Sequence, residues 1–585
     1  MSSIATGPEL ANRVCRERLA PWLRTPEPSP APESLLSWFG PGPFGVDRPG
    51  SEAVVQALSG LMHVHGQEAG RPRRLGLDVA SVAAGLLAAQ GALAARIGQA
   101  RGMAVRRCET SVLQAGFLLA GHYIAEASSP DPWGPAVRGD GGPPALRSAD
   151  GRYFELETFD PLVWRGFWQE LGAERSVLGR AWTAHQHRYL KGFCLLPAEL
   201  HTAAAATPWS RIAEVAAACG MSLSPLRGYR EVLAEPGLWP GHPRLTPFRP
   251  ETGATPEAGT VAPAPSAPEL PLSGLHVVEC TSRVQGPLAG LLLRMLGATV
   301  TWCEPPAGDA SGMGNLLHRG KERVQLDLSR PAGRNELREL VADADVFLHN
   351  WRPGKAAEWG LGAETLSYDN SRLVYAEASG WGPVLDKPEM VGAEFMVQAY
   401  AGVASGLTPE GEQPNTSRVL MCDIAGALVA CEGVLAGLLE RERTGVGALM
   451  QSSLLSAAMT LQSDVLLDLA TGREHGRRAG RPVWGPLDHP VETDDGWLVV
   501  SPDDEDAGRG LRQALGLHGG SDELLRRRLG SAPAAHWEKL ASEAGVPAAE
   551  VSRDLSGLPA DSRFSPFFEP LAEGGYAPAA PWSFH

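Results

Sequence analysis

Asp423 opens the apolar stretch DIAGALVACEGVLAGLLERERTG (423–445), whose length and small-residue content predict a packed helix. A carboxylate there has two readings. In the ordinary one it is an N-cap, accepting a hydrogen bond from the first turn. In the chemical one the helix N-terminus stabilises the ionised form, which needs no general base at neutral pH and can attack a thioester. Other candidates are weaker. GMGNLLHRGKE (312–322) resembles a phosphate loop, but its spacing is one residue too long and Glu322 stands where Ser or Thr is required. The chain has no GxSxG elbow and no HExxH, and WTAHQHRYL (182–190) offers two histidines without a third ligand, so no metal site is expected and a solvated or capping role suits both. The eight cysteines lack a paired CxxC and read as reduced, mostly buried thiols.

The elements around Asp423 are ordered by a repeat. Residues 37–114 align without a gap on 379–456 at a constant offset, 379 − 37 = 342. Ser37, Gly40, Pro41, Glu52, Gln56 and Gly60 fall on Ser379, Gly382, Pro383, Glu394, Gln398 and Gly402. More loosely, 148–172 resembles 493–516, each reading as strand, turn and helix. The first copy lacks any counterpart of 272–378, where strand and helix signals alternate: HVVEC (276–280), GPLAGLLLRMLGA (286–298), TVTWCE (299–304), ELRELVADA (336–344), DVFLHN (345–350) and RLVYAEASG (372–380). This predicts a doubly wound, nucleotide-binding kind of sheet, whose Gly-Pro turn after 276–280 could aim helix N–H groups at a phosphate. By itself the turn reads better as a plain tight connection than as a phosphate site.

The expected organisation is an N-terminal extension (1–36), a truncated copy (37–248), a Pro/Ala-rich linker (249–270), a large domain with the carboxylate (271–480), and a small domain with a C-terminal strand (481–585). A net charge of −15 argues against a nucleic-acid partner. The first residues lack the order of a signal peptide and no apolar run reaches spanning length, so a cytoplasmic protein without a membrane partner is expected.

As a set, LSGLHVVECTSRVQGPLAGLLLRMLGATV, HRGKERVQLDLSRPAGR, ADVFLHNWRPG, LGAETLSYDNSRLVYAEASGWGP and the Asp423 helix resemble family III (CaiB/BaiF-type) CoA-transferases in order and spacing over nearly all of 272–585, while 37–248 resembles the later half of the same fold. The resemblance implies an α/β fold, a Rossmann-like doubly wound large domain plus a smaller α/β domain, partly duplicated as a fused, interlocked pseudo-dimer, with a further homo-oligomer open. It implies CoA transfer between carboxylic acids, with Asp423 as nucleophile passing through an acyl anhydride and an aspartyl-CoA thioester. CoA or acyl-CoA enters as substrate, with no permanently bound cofactor. The implied CoA contacts are Arg283, Val284, Gln285, Leu326, Asn350, Trp351, Trp359 and Ser379, with Lys355 added as a phosphate donor. The sequence departs from the family at two places. Ser329 stands for a Lys, and Glu358 stands for an Arg, a reversed charge that Arg330, Arg352 or Lys355 would have to offset. A donor thioester on an acyl-carrier protein, or a catalytically silent scaffold, is the alternative that Glu358 raises. A racemase or isomerase of the same superfamily is the other, although Ala393 and Glu394 stand where racemases carry a His motif. One site per chain is expected, because Asp423 falls on Ser81 (423 − 342 = 81), with Asp78 three residues earlier.

Overall fold

The computed structural model describes residues 8–23, 32–40, 42, 44, 48–131, 133, 141–235, 241–248, 270–309, 311–383, 390–473, 476–502, 505–517 and 522–585. The expected linker 249–270 lies outside them except for Leu270.

The alternating segment after the linker forms the large sheet, because its strands are short apolar runs suited to burial on both faces. Seven strands lie in the order Arg244–Pro247, Ala448–Ser453, Val374–Ser379, Val346–His349, His276–Cys280, Thr299–Glu304, Glu322–Gln325. All neighbours are parallel except the first pair. Among the described residues the first copy has a three-stranded counterpart: Glu33–Ser37 runs parallel to Arg107–Ser111, and Ser583–Phe584 adds an antiparallel edge. Ser37 pairs with Ser111 as Ser379 pairs with Ser453, at the offset the repeat predicts.

The edge strands are exchanged. Arg244–Pro247, at the end of the first copy, pairs with the second copy's Ala448–Gln451. Ser583–Phe584, at the end of the second, pairs with the first copy's Cys108 and Glu109. The small lobes cross in the same way. The sheet of Leu146–Arg147, Tyr153–Glu157 and Ser222–Pro225 packs on the second copy's Glu394–Tyr400 helix, and the sheet of Val491–Glu492, Trp497–Val500 and Ala548–Glu550 packs on the first copy's Glu52–Leu58 helix. The molecule is an interlocked pseudo-dimer of α/β domains on one chain.

At its centre the Val79–Ala100 and Met421–Thr444 helices pack on each other, allowed by their Ala and Gly content; Gln90 Nε2 donates to the Leu428 carbonyl at 2.6 Å. Both are long and apolar enough, by length and composition, to cross a membrane. That corrects the expectation that no apolar run reaches such length, and here both are buried in a core continuous through the two copies. The residues before the expected boundary at 36 take part in the first copy's packing. Glu33–Ser37 is a strand of the first copy's sheet, and the Glu9–Leu19 helix packs on Val79–Ala100 as Gln285–Met295 packs on Met421–Thr444. The "extension" therefore supplies structural parts of the first copy. All eight cysteines carry free thiols, seven of them buried.

Candidate active site

Asp423 lies in the first turn of the Met421–Thr444 helix, whose N-cap position is Leu420. It does not cap, which corrects the ordinary reading of its sequence position. The capping is done from outside by Glu394, whose carboxylate accepts from the Cys422 N–H at 3.0 Å and the Asp423 N–H at 2.5 Å, while Gln398 Nε2 donates to it at 2.7 Å. The first copy repeats this arrangement. Glu52 accepts from the Ala80 and Ser81 N–H groups at 3.0 and 2.8 Å and from Gln56 Nε2 at 2.9 Å. One difference separates the copies: Ser81 Oγ donates to Glu52 at 2.7 Å, whereas Asp423 brings a second carboxylate to the same place. Because the helix begins at Val79 in one copy and Met421 in the other, the register is gapless and Asp78 does not slide onto the Asp423 position.

Asp423 is 8% exposed, and no hydrogen bond or ion pair engages its carboxylate among the described residues. Burial, then the charge of Glu394, hold its pKa well above the ordinary carboxylate range; Arg283 opposes them and Glu157 adds to them. Gln285 supports the site. It is buried, its Nε2 has no hydrogen-bond partner, and it lies 3.1 Å from where a Cβ on Gly426 would stand, three residues along the helix from Asp423. Val284 is buried at the N-cap of the Gln285–Met295 helix. Arg283 has φ +68°, a conformation few non-glycine residues adopt, on a turn clamped by Asn350. Asn350 uses both amide atoms there: Oδ1 accepts from the Ser282 N–H at 3.0 Å and Nδ2 donates to the Ser282 carbonyl at 2.7 Å.

The other residues expected at the site divide into two groups. Trp351 stacks on His349 and meets Trp359 edge-on, at 4.6 and 5.1 Å between centroids, making an aromatic platform after the Val346–His349 strand. Lys355 lies 4.5 Å over the Trp359 ring, and Glu358 takes its ammonium at 2.7 Å. Lys355 thus meets the reversed charge by pairing directly with Glu358. Arg330 is likewise paired with Asp327. The Leu326 side chain is 3% exposed, in the core around Phe347 and Tyr375. Ser379 Oγ accepts from the Gly382 N–H at 3.0 Å, as Ser37 does from Gly40 at 3.0 Å in the copy without a nucleotide segment, which marks a turn-forming role.

Sequence reasoning missed the cover over the carboxylate, which comes from the first copy's lobe. Glu157 accepts from Arg188 at 2.7 Å and from the Tyr189 hydroxyl, with His185 3.5 Å away. Burial pushes the Glu157 carboxyl up, but Arg188, His185 and Tyr189 outweigh it and hold it down at about 2. His185 is therefore neither solvated nor a cap; burial and Arg188 lower it to about 4. Arg188 and Tyr189 lie 4.9 Å from the ring of Phe395, next to Glu394, and Arg283 stacks 3.5 Å over Phe159. Glu155 and Glu157 on YFELE, two acids at i and i+2 on one face of a strand otherwise suited to burial, were the available signal.

The arrangement offers a buried carboxylate, a free amide donor and a cation beside a Rossmann-like sheet. A family model described as CoA-transferase family III matches residues 36–242 and 272–561. Among similar proteins, an acetyl-CoA:oxalate CoA-transferase of Acetobacter aceti is 29% identical over 317 residues, covering 48% of this chain and 81% of that one. A probable fatty acyl-CoA transferase of Mycobacterium tuberculosis is 35% identical over 217 residues (34% and 55%), and mouse alpha-methylacyl-CoA racemase is 35% identical over 193 residues (33% and 50%). The chain thus spans about half the length of the latter two. The crystal structure of a CaiB/BaiF family protein from Brucella suis is 24% identical, with a TM-score of 0.48 over 53% of this chain and 92% of that one.

Proposed function

The chain belongs to CoA-transferase family III, matched over both of its copies, and from that premise we propose that it moves CoA between carboxylic acids through covalent intermediates on Asp423. The observation that carries this reading is the carboxylate itself: buried, unengaged, and relieved of capping by Glu394. Asp423 attacks the acyl-CoA carbonyl, giving an acyl-aspartyl anhydride and CoA thiolate. The thiolate attacks the aspartyl carbonyl, releasing the donor acid and leaving an aspartyl-CoA thioester. The acceptor carboxylate then attacks that thioester, and the expelled thiolate takes the acceptor's acyl group, restoring Asp423. Every step exchanges one acyl–oxygen or acyl–sulfur bond for another, so no proton or oxidant is consumed. Gln285 Nε2 is the donor free to stabilise the oxyanion.

Neighbouring groups fit poorly as nucleophile or base. Burial, then Glu394 and Asp423, raise the Cys422 thiol well above its usual value, so its reactive thiolate is scarce. Glu394, needed as the base in a racemase reading, is committed to backbone N–H groups. The test is covalent trapping: an acyl-CoA substrate should leave a hydroxylamine-sensitive adduct on Asp423, absent in Asp423→Asn. Label on Cys422, or turnover by Asp423→Asn above a trace, would sink the assignment. A donor carried by a protein-bound pantetheine arm is favoured by one observation, the pairing of Lys355 with Glu358. Tighter binding of pantetheine than of CoA would support it.

A further inference from the structure

The first copy's Arg71–Pro72–Arg73 turn, the second copy's Glu412 and the small lobe that carries Val491–Glu492 meet around a cavity of about 740 Å³, a volume ordinary for a small-molecule site. None of its lining residues belongs to the Asp423 site. Ion pairs fix its walls: Arg73 bonds Glu412, and Arg74 pairs with Asp488 at 3.2 Å. Four charges on those walls are left over. Arg71, Arg526, Glu492 and Asp494 all line the cavity, yet among the described residues none of their side chains forms an ion pair or a hydrogen bond. His489 adds no charge at neutral pH, because burial holds it below its usual value. Two cations and two carboxylates facing one space without touching are complementary to a molecule that carries both signs. The cations are particular to this half. At the 342-residue offset Arg71 and Arg73 fall on Gln413 and Asn415, and Asn415 is committed to Glu68 at 3.1 Å.

We infer that this cavity is a second ligand site, for an apolar or aromatic α-amino acid bound as its zwitterion. The carboxylate of such a molecule is matched by the guanidinium forks of Arg71 and Arg526, and its ammonium by Glu492 and Asp494. The two kinds of partner lie close together. Glu492 and Asp494 are the exposed positions of an alternating segment in which Val491 and Thr493 are buried. The Glu492 carbonyl stands 3.9 Å from where a Cβ on Gly530 would lie, and the Gly530 N–H donates to the Arg526 carbonyl at 2.9 Å. Opposite charges so near each other suit an amine and an acid on one carbon rather than the two ends of a long chain. Trp497, Pro486 and Pro490 supply an apolar wall for the side chain. A nucleotide fits less well, since its phosphates would meet the two carboxylates with no ammonium to satisfy them.

Calorimetric titration of the full chain with L-phenylalanine, 3-phenylpropionate and phenethylamine tests this. Phenylalanine should bind at one equivalent per chain, and each analogue, lacking one pole, at least about tenfold more weakly. Saturating CoA and Asp423→Asn should each leave the affinity for phenylalanine within about twofold, because the sites share no residue. Arg71→Gln, which installs the residue found at the matching place in the second copy, and Glu492→Gln should each weaken phenylalanine by about fivefold or more. Both positions are exposed, so the variants keep their fold. No saturable binding of phenylalanine, leucine or methionine up to about 10 mM would overturn the proposal. So would equal binding of phenylalanine and phenylpropionate, unchanged binding by both variants, or displacement of phenylalanine by CoA.

Discussion

Two carboxylates share the start of one helix, and they do different work because of what reaches them. Glu394 spends its oxygens on N–H groups, while Asp423 has none and is raised by burial and by Glu394. The sign follows directly. Attack requires the ionised form, so the rate of aspartyl adduct formation should fall as pH drops, with its acid limb above the ordinary carboxylate range. Glu394→Gln removes a negative neighbour and should move that limb to lower pH; a limb that stays in place would show that Glu394 does not set the charge of Asp423. Ionising a carboxylate whose pKa is raised by folding opposes folding at neutral pH, so Asp423→Asn should melt no lower than wild type. Loss of a true cap would instead cost about 1 kcal/mol. Asp423 was legible in the sequence, but its capping partner was not: Glu394 lies 29 residues upstream and meets the helix only through the fold.

The elements explain why the site is rigid. Gly426 brings the Met421–Thr444 helix against Gln285, and a Cβ there would stand 2.7 Å from Leu454 Cδ2 and 3.1 Å from Gln285 Nε2. Gly426→Ala should fold, because both obstacles are side chains, yet lower kcat by about tenfold to a hundredfold through displacement of the amide. Unchanged kcat with normal stability would remove Gln285 from the chemistry. The strands and long helices could be read from the sequence because buried parallel strands and a small-residue helix carry strong local patterns, as in HVVEC and 423–445. The 342-residue offset was equally visible and runs through Gln56 and Gln398, which donate to their glutamates in the same way. The crossing of the lobes was not legible, since nothing in YFELE or WTAHQHRYL states which copy they will cover. The Glu9–Leu19 helix was hidden for a related reason: its polar residues obscure an equivalence made only by packing.

At the scale of the molecule, duplication has left one equipped half. Ser81 is 2% exposed and bonded to Glu52, and among the described residues the first copy has no counterpart of the 276–349 strands, so calorimetry should find one equivalent of CoA thioester per chain. Two equivalents would restore a working first half. The shared core also sets an acid limit. His65, His122, His185, His318 and His349 are held below their usual value chiefly by burial, to between about 2 and about 4. Unfolding lets each take up a proton near its normal pKa of about 6.5, so their contribution to stability is full above that pH and declines as pH falls toward 4. Urea midpoints should therefore drop from pH 7 to pH 5, and a flat profile would show these rings are not buried neutral. The exchanged edge strands bear on synthesis as well. Cys108 waits for Phe584, 584 − 108 = 476 positions later, with Trp582 Nε1 bonding the Leu87 carbonyl at 2.8 Å. At ordinary translation rates that is roughly 24–95 s during which a sheet edge of the nascent first copy stands open. A chain cut a few residues short would keep that edge exposed and ready to pair with a neighbouring chain.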